Sequence, residues 1–279
     1  MHIFSVTLER EEPPVSLLVA QFSGEQSIEV LLEQIYNGYA DQRLRASGLV
    51  LRPDVRDQFA TDAINSACSG EAPSDSPFLS ALAVASTEPS EHFGRFAELP
   101  IFVLHADDCA PKLGRNVNPL ATPTALMQAH LAHPETVADI RVAEMRFLVG
   151  RSRAFLRPVE GSYYVPPSHR PARSFLRVGN IQYSRQAIDA VTFWLLPSLH
   201  RCKAILVDTW SLSSVAFNAS RVLASIRGEG PVPVEMLSQY QDSSDERQAA
   251  LIEVLDRLAF DGGVDLYDDD LPVTCIVSA

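Results

Sequence analysis

A serine-rich turn between a buried strand and a helix is the segment best suited to bind a small molecule. The run Ala-Ile-Leu-Val at 204–207 predicts a buried strand, the run Asp-Thr-Trp-Ser-Leu-Ser-Ser follows at 208–214, and a helix is predicted over 215–226. Backbone N–H groups and the positive end of a helix at the carboxyl edge of a sheet suit a phosphate or diphosphate. The candidate phosphate-binding residues are Asp208, Thr209, Ser211, Ser213 and Ser214. The same serines are typical helix N-caps, and the turn lacks the glycines that usually admit a phosphate.

Charge is distributed unevenly along the chain. The formal net charge is −12, yet residues 141–185, here called the arginine belt, carry nine arginines against two glutamates. Residues 1–140 sum to −11 and residues 229–279 to −10. Arginine makes bidentate contacts with phosphates, so the belt from Arg141 to Arg185 predicts a phosphate, nucleotide or nucleic-acid surface. Pairing of the belt with the acidic flanks is the alternative that the sequence favours, and the scarcity of aromatic residues in the belt argues against single-strand stacking.

Residue types that ligate metals also occur in clusters, at 105–109 and 130–135, and acids crowd 265–270. None of these segments has the spacing of a known metal motif. Pro134 would also break a helix holding the second cluster. Surface, capping and loop roles are therefore the preferred interpretation, and no metal site is predicted. The sequence likewise lacks a G-x-S-x-G nucleophile motif.

The elements that position these residues alternate between strands and helices. In the amino-terminal part, strands are predicted at 3–9, 15–22 and 99–105, and helices at 27–46, 55–68, 124–133 and 135–149. Further along, strands are predicted at 175–178, 204–207, 232–237 and 273–277, and helices at 184–199, 215–226 and 245–259. This alternation predicts an α/β fold with a mostly parallel sheet and flanking helices.

A proline-rich stretch divides the chain at 157–171. We therefore expect an α/β region of unassigned role over 1–150, a Pro/Arg-rich connector over 151–172 and a second domain over 173–279. No apolar run approaches the ~20 residues of a membrane span, and the first residues lack the pattern of a secretory signal. The four cysteines are scattered, which is typical of reduced thiols. These features predict a cytoplasmic protein without a membrane partner.

From Tyr163 onward, the order and spacing of these features resemble an orotate-type phosphoribosyltransferase domain. They resemble more closely the divergent phosphoribosyltransferase-like proteins of bacterial conflict systems. The resemblance rests on the run from Tyr164 through Phe175-Leu-Arg-Val-Gly179 and on the strand, serine-rich turn and helix that follow. It implies binding of a nucleotide or phosphorylated ribose, transferase activity, a role in antiviral defence, and Mg²⁺ as the one cofactor. The positions it carries over are Asp208, Thr209, Ser211, Ser213 and Ser214, with Arg177 as a further phosphate contact.

Two departures from that family motivate another hypothesis. The turn at 209–214 has no glycine, and the strand at 273–277 stands where the family carries an acid pair and a phosphate loop. The alternative is an adaptor or assembly subunit that keeps the fold without the chemistry and binds a protein partner. A third hypothesis is a nucleic-acid binder that uses the arginine belt.

Overall fold

A computed structural model describes residues 2–10, 13–22, 28–38, 45–55, 99–107, 110–118, 120–164, 171, 173–237, 244–260 and 273–276. The chain forms two compact units, unit 1 over Met1–Met145 and unit 2 over Arg146–Ala279. Most of the helix predicted at 55–68, and residues 165–170 and 172 of the predicted connector, lie outside the described residues. Among the described helices, none has the length and apolar character needed to cross a membrane.

Unit 1 is built on a mixed five-stranded sheet. Its strands, in spatial order, are β1 (Ile3–Leu8), β2 (Val15–Phe22), β3 (Gly48–Pro53), β4 (Ile101–Asp107) and β5 (Ala110–Asn116). The three central strands run parallel, and β1 and β5 pair antiparallel at the edges. The helices that begin in this unit are α1 (Ile28–Gly38), α2 (Ala125–Ala132) and α3 (Thr136–Arg151).

The core of unit 1 forms because the central strands are apolar on both faces. Residues Leu17–Ala20 of β2 and Leu49–Leu51 of β3 are fully buried, which is typical of parallel strands covered on two sides. Helix α1 buries Leu31, Leu32 and Ile35, the apolar stripe that predicted it. The Arg52 side chain on β3 is completely buried and pairs with Glu144 on α3.

Unit 2 contains a three-stranded parallel sheet and a short antiparallel ribbon. The sheet consists of β8 (Ala204–Val207) between β9 (Val234–Met236) and β10 (Val273–Ile276), and the ribbon of β6 (Phe155–Leu156) and β7 (Phe175–Leu176). Its helices are α4 (Arg185–Leu199), α5 (Ser213–Arg227) and α6 (Ser244–Phe260), with 3₁₀ helices at Val178–Tyr183 and Trp210–Leu212.

In unit 2 the connections between strands pass to opposite sides of β8. The chain leaves β8 through α5 to reach β9 on one side, then returns through α6 to β10 on the other side. Helix α6 packs Val254 and Leu258 against Ala204 and Leu206 of β8, while α5 packs against α4. In parallel α/β sheets, ligands bind outside the carboxyl ends of strands at such a switch point.

The predicted α/β fold with largely parallel strands and flanking helices is confirmed. Strands β2 and β8 have the predicted bounds. Helices α4, α5 and α6 begin and end within two residues of their own predicted bounds. Strands β3, β5 and β6 were not predicted, and β7 is shorter than expected because a 3₁₀ helix begins at Val178. Strand β5 contains Pro111 and Gly114, which signal a turn in sequence, and the proline is tolerated because β5 is an edge strand.

Candidate functional site

The candidate site is assembled where β8 ends. Val207 is fully buried, whereas Asp208 and Thr209 directly after it are half-buried at the carboxyl edge of the sheet. Thr209 has extended backbone and begins the 3₁₀ helix Trp210–Leu212, and α5 follows without interruption from Ser213. The strand therefore delivers the predicted residues to the carboxyl edge of the three-stranded sheet, where β8 and β10 end side by side.

The hydroxyl groups of the turn bond mainly to one another and to the turn itself. The oxygen Oγ1 of Thr209 accepts from the Ser211 amide at 3.3 Å and lies 3.1 Å from the Ser211 hydroxyl. The Ser213 hydroxyl donates to the carbonyl of Trp210 at 2.8 Å. Ser214, one residue into α5, is exposed. Thr209 and Ser213 thus shape the turn, and Ser211 and Ser214 present hydroxyls from it.

The expectation of free backbone amides in this turn is wrong for three of its residues. The Leu212 amide donates to the carbonyl of Thr209, and the Ser213 amide to the carbonyl of Trp210. With the Ser211 amide directed at Thr209, all three donors are used within the 3₁₀ turn. The predicted turn is a 3₁₀ turn that uses its own amides, so side chains must supply most of the donors for a ligand here.

A second segment, carrying Arg177, lies beside the first. The 3₁₀ helix that follows Arg177 contains Gly179, and a Cβ built on this glycine would lie 3.6 Å from Cβ of Ser211. The Arg177 side chain is exposed, and its amide donates to the carbonyl of Ala154 at 2.8 Å. The structure therefore brings Arg177 and the serine-rich turn into neighbouring segments.

Two aromatic residues at this site were not given a role from the sequence. Trp210 at the start of one 3₁₀ helix is 67% exposed, and Tyr183 at the end of the other is 87% exposed. Each 3₁₀ helix buries a single aliphatic side chain instead, Leu212 and Ile181 respectively. The sequence did contain an indication of a role for Trp210, because it places a tryptophan in a short polar turn between a strand and a helix. Large aromatic side chains are rarely left this exposed.

A polar network on the adjoining helices fixes the direction of α5. The amide nitrogen Nδ2 of Asn218 donates to Oδ1 of Asp189 at 3.1 Å and to Oγ1 of Thr192 at 3.0 Å, both on α4. Asp189 and Thr192 are buried. Arg221, one turn further along α5, donates to Oδ1 of Asn218 at 3.0 Å. The network couples α4 to α5 one turn beyond Ser214.

The described part of the chain contains no group of three metal-ligating side chains that could hold an ion. In the segment 130–135, His130 is buried in α2, and Nδ1 of His133 accepts from the amide of Glu135 at 3.3 Å. The Glu135 carboxylate lies 3.2 Å from Nε of Arg10. In this segment, His133 and Glu135 therefore bond to protein groups next to the start of α3. Residues 108, 109 and 265–270 of the other clusters lie outside the described residues.

Comparison of the chain with protein-family models, with curated proteins and with solved structures finds no match. The function must therefore be argued from the geometry of the site.

Proposed function

We propose that unit 2 binds a nucleotide or a phosphorylated ribose at the carboxyl edge of its three-stranded sheet, as a phosphoribosyltransferase-like domain. The observation that carries the proposal is the placement of the serine-rich turn at the switch point of the order β10-β8-β9. Ligand sites of open parallel sheets occur at this position because the loops from neighbouring strands separate there and leave a crevice.

The residues at this edge divide naturally between the two parts of such a ligand. Asp208 is a half-buried carboxylate at the strand end. Such a carboxylate can accept a hydrogen bond from a ribose hydroxyl. Ser211 and Ser214 offer hydroxyls near the N-terminus of α5, where the helix dipole favours negative charge. The exposed Arg177 on the neighbouring segment supplies a planar guanidinium for a phosphate.

The exposed Trp210 is a candidate contact for the nucleobase of a bound nucleotide. Its ring follows Thr209 and precedes Ser211, so it adjoins both candidate polar contacts along the chain. An aromatic ring that stands in solvent gives a nucleobase a stacking partner of about 1–3 kcal/mol. A nucleotide therefore fits the site better than a bare sugar phosphate.

Mg²⁺ fits this site as a companion of the ligand's phosphates. Asp208 is the carboxylate that the turn supplies, and Mg²⁺ is commonly held by one or two carboxylates together with phosphates and water. When bound, the ion would neutralise phosphate charge. The protein's own residues would bind and orient the ligand.

One observation favours the second candidate function, an adaptor subunit without a ligand. The amides of Ser211, Leu212 and Ser213 are already bonded within the turn. This leaves fewer donors for a phosphate than a glycine-rich loop offers. Under this candidate, Asp208 and Ser211 have no ligand to contact, and their replacement leaves the protein's interactions unchanged, whereas charge reversal in the arginine belt disrupts a complex.

Isothermal titration of the full chain with phosphoribosyl diphosphate, ribose 5-phosphate and AMP, with and without Mg²⁺, distinguishes the two candidates. We expect saturable binding that Arg177→Gln weakens about tenfold or more, since a hydrogen bond to a charged group contributes about 1.5–3 kcal/mol. Arg201→Gln is the matched control, because it removes the same charge from an exposed arginine outside the two segments of the site. No binding of any of these ligands would exclude the proposal and leave the adaptor.

A further inference from the structure

The short ribbon of unit 2 exposes an apolar pair to solvent. Phe155 on β6 faces Leu176 on β7, and these side chains are 46% and 45% exposed. Their neighbours on the other face of the ribbon are covered: Ala154 is fully buried, and Leu156 and Phe175 are partly buried. The ribbon therefore turns one face inward and presents Phe155 and Leu176 on the other.

Four arginines of the belt flank the two strands of the ribbon in sequence. Arg153 and Arg157 lie two residues before and after Phe155, and Arg173 and Arg177 lie on either side of β7. All four side chains are exposed, and none forms an ion pair with another residue that the structure describes. The guanidinium carbon of Arg157 lies 5.2 Å from the centroid of the Phe155 ring. Within the described residues, the expected pairing of these arginines with acidic flanks does not occur.

Arg153 occupies a backbone position that disfavours an arginine. Its φ is +50°, and the Ala154 amide donates to the carbonyl of Val149, which closes the C-terminus of α3 in a Schellman turn. The same turn closes α5, where Gly228 has a φ of +66° and the Glu229 amide donates to the carbonyl of Ala224. Glycine is the usual residue here because a side chain is strained in this conformation. The strain at Arg153 points to a role for its exposed side chain rather than to folding.

We propose that this ribbon, with Arg153, Arg157 and Phe155 at its centre, binds single-stranded nucleic acid. Guanidinium groups make bidentate contacts with phosphates and also stack on bases, and an exposed phenylalanine beside them offers a second stacking surface. The net charge of −12 opposes binding of any polyanion by the protein as a whole. Binding must therefore be local to these exposed arginines, which makes it strongly dependent on salt.

An acidic polypeptide is the competing occupant, and the exposed aromatic face argues against it. Carboxylates would satisfy the arginines but offer no planar surface to stack on the Phe155 ring. In a single-stranded nucleic acid, the phosphates can contact the arginines while a base stacks on Phe155. The sparse aromatic content of the belt sequence gave no indication of this arrangement, which consists of one exposed ring, Phe155, with the Arg157 guanidinium beside it.

Fluorescence anisotropy of the full chain with labelled oligothymidylate and oligouridylate tests the proposal between ~50 and ~200 mM salt. We expect Arg157→Gln to weaken binding and to reduce the salt slope by about 0.7, the value for one lost contact to single-stranded phosphate. Phe155→Ala should weaken binding about fivefold or more through lost stacking. The matched control is Arg201→Gln, which removes the same charge from an exposed arginine outside the ribbon and should leave affinity within twofold.

Arg153→Gly separates binding from folding. It should weaken oligonucleotide binding while raising the urea midpoint of unfolding, because glycine relieves the strain at a positive φ. The proposal is overturned if no oligonucleotide binds at the lowest salt, or if the ribbon variants and Arg201→Gln behave alike. It is also overturned if poly-glutamate competes as well as oligothymidylate and Phe155→Ala has no effect. Mononucleotide titration of the same variants, which leave Arg177 intact, shows separately whether the proposed function holds.

Discussion

Gly179 faces Ser211 across the two 3₁₀ segments, and a Cβ built on the glycine would stand 3.6 Å from Cβ of the serine. This contact joins the segment that carries Arg177 to the turn that follows β8. A Cβ at this spacing makes ordinary van der Waals contact, so a longer side chain directed at Ser211 would push the turn away. Gly179 therefore controls how closely the two candidate phosphate-binding segments approach each other.

We predict that Gly179→Ala folds normally and that Gly179→Leu separates the two segments. The alanine variant should change the free energy of unfolding by about 0.5 kcal/mol or less, whereas overpacking by leucine should cost about 1–3 kcal/mol. Nucleotide affinity should fall only in the leucine variant, measured by isothermal titration. Gly230→Leu is the control, since a Cβ at Gly230 meets nothing within 4 Å. Equal loss in both leucine variants would contradict this role for Gly179.

The buried ion pair of unit 1 gives a second prediction. Nε and Nη2 of Arg52 lie 3.0 and 2.9 Å from Oε1 of Glu144, and neither side chain is appreciably exposed to solvent. Glu144→Leu leaves a buried guanidinium without this partner, so it should destabilise unit 1 by about 3–5 kcal/mol in urea unfolding. The double variant Arg52→Met with Glu144→Leu should recover much of that loss, because it removes both buried charges. A double variant less stable than Glu144→Leu would show that the pair is not the main interaction of these residues.

The α4–α5 network gives a third prediction. Asn218→Ala removes the donor shared by Asp189 and Thr192, and loss of a partner for buried polar groups costs about 1–3 kcal/mol. Arg221→Ala, which removes only the exposed contact to Asn218, should change stability by about 0.5 kcal/mol or less. Chemical unfolding monitored by Trp194 and Trp210 fluorescence measures both. Equal effects of the two substitutions would mean that the buried hydrogen bonds do not stabilise the helix pair.

A continuous apolar run made one buried strand of each sheet predictable, β2 in unit 1 and β8 in unit 2. Strands β2 and β8 are buried on both faces and bounded by polar residues, so their sequences alone indicated their ends. Strand β3 has only Leu49, Val50 and Leu51 as an apolar run, and Gly48 and Pro53 at its ends read as turns. It forms because it hydrogen-bonds to β2 and β4 on both sides, a long-range effect that local propensity does not contain.

The candidate site was predictable in its residue types but not in its hydrogen bonding. The strand followed by a serine-rich turn and a helix identified Asp208, Thr209 and Ser211 from local pattern. Whether the turn amides are free depends on the backbone angles, and a 3₁₀ helix uses amides that an extended loop would leave open. The approach of Gly179 to Ser211 depends on the packing of two segments distant in sequence, so no local pattern reports it.

Gly228 provides the reciprocal test of the strain assigned to Arg153. Gly228 closes α5 and Arg153 closes α3, and both residues have a positive φ at the equivalent position of the turn. Gly228→Arg should cost about 1 kcal/mol of unfolding free energy, because an L-residue is disfavoured in the left-handed region. Gly228→Ala should cost a similar amount, since the strain arises at Cβ rather than from charge. Gly228→Arg adds the same charge that Arg153→Gly removes, but it adds it outside the β6–β7 ribbon. Oligonucleotide affinity should therefore stay within about twofold in Gly228→Arg. A gain in affinity from Gly228→Arg as large as the loss from Arg153→Gly would show that net charge, rather than the position of Arg153 beside Phe155, governs binding.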